Sequence, residues 1–175
     1  MDPHASAAKL DAFHDALTGL PNRRLLDDRL AQGLHLARRR ARQLALLLMD
    51  LDNFKQVNDT LGHAAGDGVL REVAARLARC VRKADTVARH GADEFALVLS
   101  DLQAEAGCRL VADRLLRNMA EAIPAAGGPV SLAVSVGISL FPADAGDGEA
   151  LLRNAGVALQ RAKQAGHNHY AFYGK

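Results

Sequence analysis

Leu44-Ala-Leu-Leu-Leu-Met-Asp-Leu-Asp-Asn-Phe-Lys55 decides how the rest of the chain is read. Its first half is an unbroken apolar run of strand length. Such a run suits a central strand covered on both faces, although periodicity alone leaves a buried helix segment open. The run ends on two carboxylates, Asp50 and Asp52, and α/β sheets place their ligands at strand ends. A second acid pair, Asp93 and Glu94, stands in Arg89-His-Gly-Ala-Asp-Glu-Phe-Ala-Leu-Val-Leu99, which reads as strand, turn, strand. Two acid-bearing elements able to lie side by side make a divalent-metal site the first expectation.

Upstream of the central run, Lys9–Ala16 reads as one or two helical turns. Asp15-Ala-Leu-Thr-Gly-Leu-Pro-Asn-Arg-Arg24 is turn-rich, and Asp15 with Arg23 is expected to tie this segment down by a salt bridge. Asn22 can cap a helix through Leu25, Leu26, Leu30, Leu34 and Ala37, which Arg38-Arg-Arg-Ala-Arg42 ends with cations favoured by the dipole. Downstream, Asn53–Leu61 predicts a short helix stopped by Gly62. Asp67 then precedes an amphipathic helix with Val69, Leu70, Val73, Leu77 and Val81 on one face. Thr86–Arg89 and Glu94–Leu99 form a hairpin around Gly91-Ala92. Ala104–Ile123 is a helix with the stripe Leu110, Val111, Leu115 and Met119, Val130–Leu140 a strand, Gly148–Ala165 a helix, and Tyr170–Tyr173 an edge strand. Helices alternating with strands while one hairpin persists give the class α/β (α+β), a mixed central sheet flanked by helices.

The 175 residues suffice for one domain with a real core, here a lead-in helix or linker over 1–14 and the domain proper over 15–175. Hydrophobic residues at 49% and charged residues at 24% exclude a disordered chain, and a net charge of +2 gives no footprint for duplex nucleic acid. Cys80 and Cys108 lack metal-type spacing and read as small core residues in a reducing compartment. No apolar run approaches the roughly 20 residues of a membrane span, and the amino terminus lacks signal-peptide features. The expectation is a cytoplasmic domain, with any membrane anchoring of a parent protein left open.

Asp50 with Asp93 or Glu94 is the leading chemical pair. Successive strand residues face opposite sides, so in a regular strand only one of Asp93 and Glu94 shares a face with Asp50. Oxygen ligands favour magnesium or manganese over zinc. Two such ions, roughly 4 Å apart, would clamp both sides of an in-line phosphoryl displacement. The plain alternative is a set of unrelated exposed carboxylates at strand ends. By the same plain reading, Asn58 and Asp67 are helix caps, Lys55 and Lys163 solvated lysines, and Gly62 and Gly66 turns.

Asp15-x-Leu-Thr-Gly-Leu-x-Asn-Arg23, Asp50-x-Asp-x-Phe-Lys-x-x-Asn-Asp59, Gly62-His63, Gly66-Asp67, Gly91-Ala-Asp-Glu-Phe95 and Ala162-Lys-x-x-Gly166 with Asn168 occur in the order of the GGDEF family. The chain resembles these diguanylate cyclase domains from Asp15 to Tyr173. The resemblance implies a fold like that of polymerase palms and nucleotide cyclases, with the signature on a β-hairpin. It implies that two GTP molecules are joined into cyclic di-GMP with release of two pyrophosphates, in a homodimer whose subunits each present one GTP. Carried across, Asp50, Asp93 and the Leu51 carbonyl look like ligands of Mg2+ or Mn2+, and Asp50, Asp93 and Glu94 like the catalytic acids. Backbone amides around Phe54 and Lys55 look like a triphosphate cradle, beside the turn residues Gly91 and Ala92. Asn58 and Asp67 resemble readers of the guanine edge, and Lys163 resembles a phosphate-binding lysine. Arg82 and Asp85 match the family's Arg-x-x-Asp site for inhibitory product. The resemblance also implies sensory parts fused upstream and, after Tyr173, an EAL phosphodiesterase domain as in related chains.

Two positions depart from that pattern. Ala92 replaces the second signature glycine; if the turn needs φ > 0 there, alanine costs on the order of 1 kcal/mol and its Cβ projects toward the nucleotide. His167 stands where the family has arginine and lacks the bidentate fork. The competing expectation is therefore a catalytically impaired regulatory module. It would bind GTP, or cyclic di-GMP at Arg82 and Asp85, and control an attached phosphodiesterase or other output domain.

Overall fold

The computed structural model describes residues 12–175. Of the helical turns expected over Lys9–Ala16, residues 9–11 lie outside the described residues, and residues 12–16 form turns and a bridge from His14 to Pro21 in place of a helix. Within them, five helices and five strands follow in the order α1 (Arg23–Arg40), β1 (Gln43–Asp52), α2 (Phe54–Leu61), α3 (His63–Cys80), β2 (Thr86–Arg89), β3 (Glu94–Leu102), α4 (Glu105–Ala120), β4 (Ala133–Phe141), α5 (Gly148–Ala165) and β5 (His169–Phe172). The strands form one mixed sheet in the order β2-β3-β1-β4-β5, antiparallel except for the β4–β5 pair at one edge.

β1 sits in the middle because both of its faces are apolar. Ala45, Leu47, Met49 and Leu51 join a core with α3 and α4 residues such as Val69, Val73, Leu77, Leu115 and Met119. Leu44, Leu46 and Leu48 join a second core with Leu26, Leu30 and Leu34 of α1 and Leu151, Ala155 and Leu159 of α5. Each such leucine taken fully from water contributes roughly 1.5–3 kcal/mol. Asp50 and Asp52 continue the α1/α5 face to the end of the strand, where the apolar cover stops.

Gly137 sets how closely α5 lies on that face. A Cβ there would meet the Ala155 carbonyl oxygen at 2.1 Å and the Leu159 nitrogen at 2.2 Å, so the helix backbone rests directly on β4. On the other face Arg76, only 7% exposed, donates to the carbonyls of Asn118, Glu121 and Ala122 and to Glu72. It thereby satisfies carbonyls that the end of α4 leaves open.

Several expected boundaries move. Asp67 lies inside α3, not before it: Gly62, at φ 89°, turns the chain and α3 begins at His63 with no side-chain cap. The last strand pair begins at His169, and the long strand begins at Ala133, with Val130 only bridging Ile123. Leu110, expected in the α4 stripe, is 65% exposed, and Cys108 and Ala112 take the buried positions. Asn22 does cap α1, accepting from Leu25 N–H at 3.1 Å, and Arg38, Arg39 and Arg40 close its last turn. Among the described residues, no helix is long and apolar enough to cross a membrane.

Candidate active site

The β2–β3 hairpin brings its acids to β1 by register: Asp50 lies opposite Glu94, and the Leu51 N–H donates to the Asp93 carbonyl at 3.1 Å. Opposed residues share a sheet face, so Glu94 shares the face of Asp50. Asp93 precedes the first regular residue of β3 and is freed from strict alternation. Its carboxyl is pushed above the usual range, first by burial and then by the charges of Asp50 and Glu94. Lys163, from the last turn of α5, forms an ion pair with Asp50. Burial pulls the Lys163 ammonium down, but the hydrogen bond to Asp50 and the charges of Asp50, Asp52 and Glu94 outweigh it, and its pKa is raised.

Asp50, Asp93 and Lys163 line one open cleft of about 320 Å³ with Leu51, Asp52, Asn53, Phe54, Lys55 and His167. Its floor is the start of α2, whose first amides lack intrahelical partners and favour anions. Asn53, at φ 59°, makes the sharp turn from β1 into that helix and leaves the amides without a side-chain cap. Two carboxylates, one backbone carbonyl and a cradle of amides fit a hard divalent ion bound together with substrate phosphates, since magnesium usually takes only one or two carboxylates. The mutual charge of Asp50 and Asp93 gives such an ion a reason to bind. Among the described residues, no group of three or more His, Cys, Asp or Glu side chains is arranged to hold a metal by itself.

Asn58 on α2 and Asp67 on α3 are not among the residues lining this cleft. Neither caps a helix, since Asn53 and Gly62 occupy those places. The Asn58 side chain lies over Gly66, where a Cβ would come within 1.8 Å of its Oδ1. Gly66 is thus a close-approach position inside a helix, and Gly62 the turn. His167 is 67% exposed, with Nδ1 at 3.5 Å from Asp52 Oδ2. Asp52 instead accepts from the Ser135 hydroxyl at 3.0 Å. Gly91 and Ala92 are exposed, and neither takes a positive φ. Arg82 and Asp85 lie away from the cleft: Arg82 donates to the Ser100 carbonyl at 2.6 Å, while the Asp85 carboxylate, 2% exposed, accepts from the Arg82 and Ser100 N–H groups at 3.0 Å each.

Asp15 pairs with Arg89, at 3.2 Å, and not with Arg23. Burial favours its protonated form, but hydrogen bonds from Thr18 and the Arg89 guanidinium outweigh burial and hold its carboxyl below the usual range. Arg89 also donates to the Ala92 carbonyl at 2.8 Å, so the turn-rich segment grips the signature hairpin through one arginine. Arg89, His90 and Ser135 are the site residues that the sequence reading missed. The available signal was their alternation: Arg89 and His90 directly precede the signature, and Ser135 is a polar residue in an apolar strand.

The family model described as "Diguanylate cyclase, GGDEF domain" matches residues 12–169. The chain is 43% identical over 162 residues to the bifunctional diguanylate cyclase/cyclic di-GMP phosphodiesterase MucR of Pseudomonas aeruginosa, covering 93% of this chain and 24% of MucR. It is 40% identical over 172 residues to the cyclic di-GMP phosphodiesterase NbdA of the same organism, covering 98% of this chain and 22% of NbdA. Among solved structures, the isolated GGDEF domain of TpbB from Pseudomonas aeruginosa superposes with a TM-score of 0.89 at 40% identity, covering 91% of this chain and 94% of that one. The chain spans less than two-fifths of the length of the first curated relatives it matches, 24%, 22% and 38%.

Proposed function

Because the chain belongs to the GGDEF family of diguanylate cyclase domains, we propose that it condenses two GTP molecules into cyclic di-GMP and releases two pyrophosphates. The observation that carries the reading is the convergence of Asp50, Asp93 and Lys163 over the start of α2 in one cleft. Asp50, Asp93 and the Leu51 carbonyl would hold Mg2+ or Mn2+. A bound ion of this kind supplies Lewis-acid stabilisation of charge on the reacting phosphate. Lys163 and the α2 amides bind and orient the triphosphate. Asp93 and Glu94 beside it orient and accept the proton of the attacking 3′-hydroxyl. Asn58 and Asp67 read the guanine edge across the α2–α3 groove. One domain offers one such cleft, so the working unit is a homodimer that brings two GTP molecules face to face. Arg82 and Asp85 form the product-inhibitory site: Arg82 exchanges its contacts with the Ser100 carbonyl and Asp85 for a phosphate of the product, while Asp85 anchors the loop.

A second reading has its own support. NbdA, so similar over this segment, is named for phosphodiesterase activity alone, and His167 offers no guanidinium fork to the cleft. The domain would then bind GTP or cyclic di-GMP and regulate a fused output domain such as an EAL phosphodiesterase. Incubation with GTP and magnesium, using the domain fused to a dimerising helix and an Asp93→Ala control, separates the two. Cyclic di-GMP in mass spectra that disappears in the control supports the cyclase. Measurable GTP binding by a folded dimer without product supports the regulatory module.

A further inference from the structure

We propose that His90 is a positioning residue of this site: its ring fixes the Glu94 carboxylate at the edge of the catalytic cleft. The inference rests on the cyclase reading above. The hairpin closes where the Glu94 carbonyl accepts from the N–H groups of both His90 and Gly91, at 2.8 and 3.0 Å. Glu94 in turn lies opposite Asp50 in the β1–β3 ladder. His90, the residue just past β2, thus stands beside Glu94, which lies opposite Asp50 on the sheet face that α1 and α5 cover.

Within that row, His90 Nδ1 lies 2.7 Å from Glu94 Oε1, and the two side chains are 14% and 29% exposed. An ionised carboxylate only accepts, so Nδ1 carries the proton. His90 Nε2 is buried and meets no partner. A charged ring would leave an N–H donor unmet at that atom, whereas the neutral Nδ1–H tautomer leaves only a lone pair. The ring is thus aimed at Glu94 with Nδ1 donating. Glu94 needs such a hold because Asp50 and Asp93 repel it and its own torsions would carry it toward water. A phenylalanine at position 90 would fill the same space and direct nothing.

The test compares the wild-type chain with His90→Phe, which keeps the ring volume, and His90→Asn, whose side-chain amide can donate from nearly the position of Nδ1. Initial rates of cyclic di-GMP formation are read across GTP concentration, with 15N-resolved imidazole spectra of the wild type and of Glu94→Leu. The expected result is a fall in kcat of about 10- to 100-fold for His90→Phe at unchanged KM, with most of the loss recovered by His90→Asn. The spectra should show the Nδ1–H tautomer, and Glu94→Leu, which removes the acceptor, should shift it toward the ordinary Nε2–H form. A fold-filling role predicts the reverse order, with His90→Phe active and His90→Asn impaired; that order, or an Nε2–H ring in the wild type, overturns the proposal. A wild-type domain that makes no product overturns the cyclase reading itself and with it the catalytic role given to His90, whatever the tautomer.

Discussion

Replacing Gly137 with alanine should separate the α5 helix from the sheet and carry the active site with it. The added Cβ would stand 2.1 Å from the Ala155 carbonyl oxygen, 2.2 Å from the Leu159 nitrogen and 2.7 Å from the Leu159 Cα. All three are helix backbone, so no rotamer change gives relief. Non-bonded carbon contacts settle near about 3.5 Å, which requires α5 to retreat by roughly 1 Å, and a gap of that size forfeits a quarter to a half of each affected packing contact. Overpacking alone costs about 1–3 kcal/mol. With the packing lost around Leu151, Ala155 and Leu159 the total is about 3–4 kcal/mol, a large part of a domain's stability. With a urea slope of about 2 kcal/mol/M, the unfolding midpoint followed by circular dichroism should fall by about 1.5–2 M. Gly156 on the same helix provides the control, since a Cβ there meets nothing within 4 Å. Gly156→Ala should gain about 0.5–1 kcal/mol from helix propensity and move the midpoint the other way. Because Lys163 rides on α5, the fraction of Gly137→Ala that remains folded should also bind GTP more weakly. A Gly137→Ala midpoint within about 0.3 M of wild type at the same slope would refute the direct backbone contact.

Gly66→Ala places a Cβ 1.8 Å from Asn58 Oδ1 and 3.4 Å from Phe54 Cζ, but a side-chain end can swing aside. Stability should change by less than about 1 kcal/mol, while GTP affinity by calorimetry drops about tenfold and the preference over ATP narrows, as loss of a base-reading hydrogen bond requires. Asp93 is raised by burial first and by Asp50 next, so the folded state keeps its proton to higher pH than the unfolded chain. Its contribution therefore turns unfavourable as pH climbs from the ordinary carboxylate value through the folded one. Asp93→Asn should raise the thermal midpoint at neutral pH, lose that gain in acid, and make no product; a lowered midpoint at neutral pH would count against the charge crowding. Asp15 runs the opposite way, its folded value being depressed, so its stabilisation is present above the ordinary carboxylate value and is lost as pH falls through the folded value. Asp15→Asn should cost about 1–3 kcal/mol at neutral pH, checked by urea unfolding, with the deficit shrinking in acid.

What could be read in advance followed from local chemistry. The apolar run Leu44–Met49 announced a strand buried on both faces, and Asn22 and the arginines after Ala37 announced the ends of α1. The acid ends of β1 and the hairpin were equally plain, because nothing in the core tolerates unpaired carboxylates. The misreadings involve partners far along the chain or a missing cap signal. Gly62 turns α2 directly into α3 with no side-chain cap at either start, so Asp67 looked like a beginning and is an interior residue. Arg76 sits in an apolar stripe because carbonyls 42–46 residues away accept its hydrogen bonds. Asp15 had a nearby arginine in sequence and chose one 74 residues distant.

The two departures from the family signature do not carry equal weight once the hairpin is seen. Alanine at position 92 would matter if the turn demanded a left-handed residue, yet Ala92 is exposed and takes no positive φ. The turn is held by hydrogen bonds to backbone carbonyls: Glu94 accepts from His90 and Gly91, and Ala92 accepts from Arg89. None of these depends on a missing Cβ. The position where the fold itself requires glycine is elsewhere, at Gly137 under the α5 backbone, while at Gly66 a Cβ would displace only the Asn58 side chain. His167 is different, because the cleft then draws its side-chain cations from Lys55 and from Lys163, which Asp50 already engages. Any impairment of catalysis would therefore arise from weaker phosphate binding at the end of α5 and owe little to the shape of the signature turn.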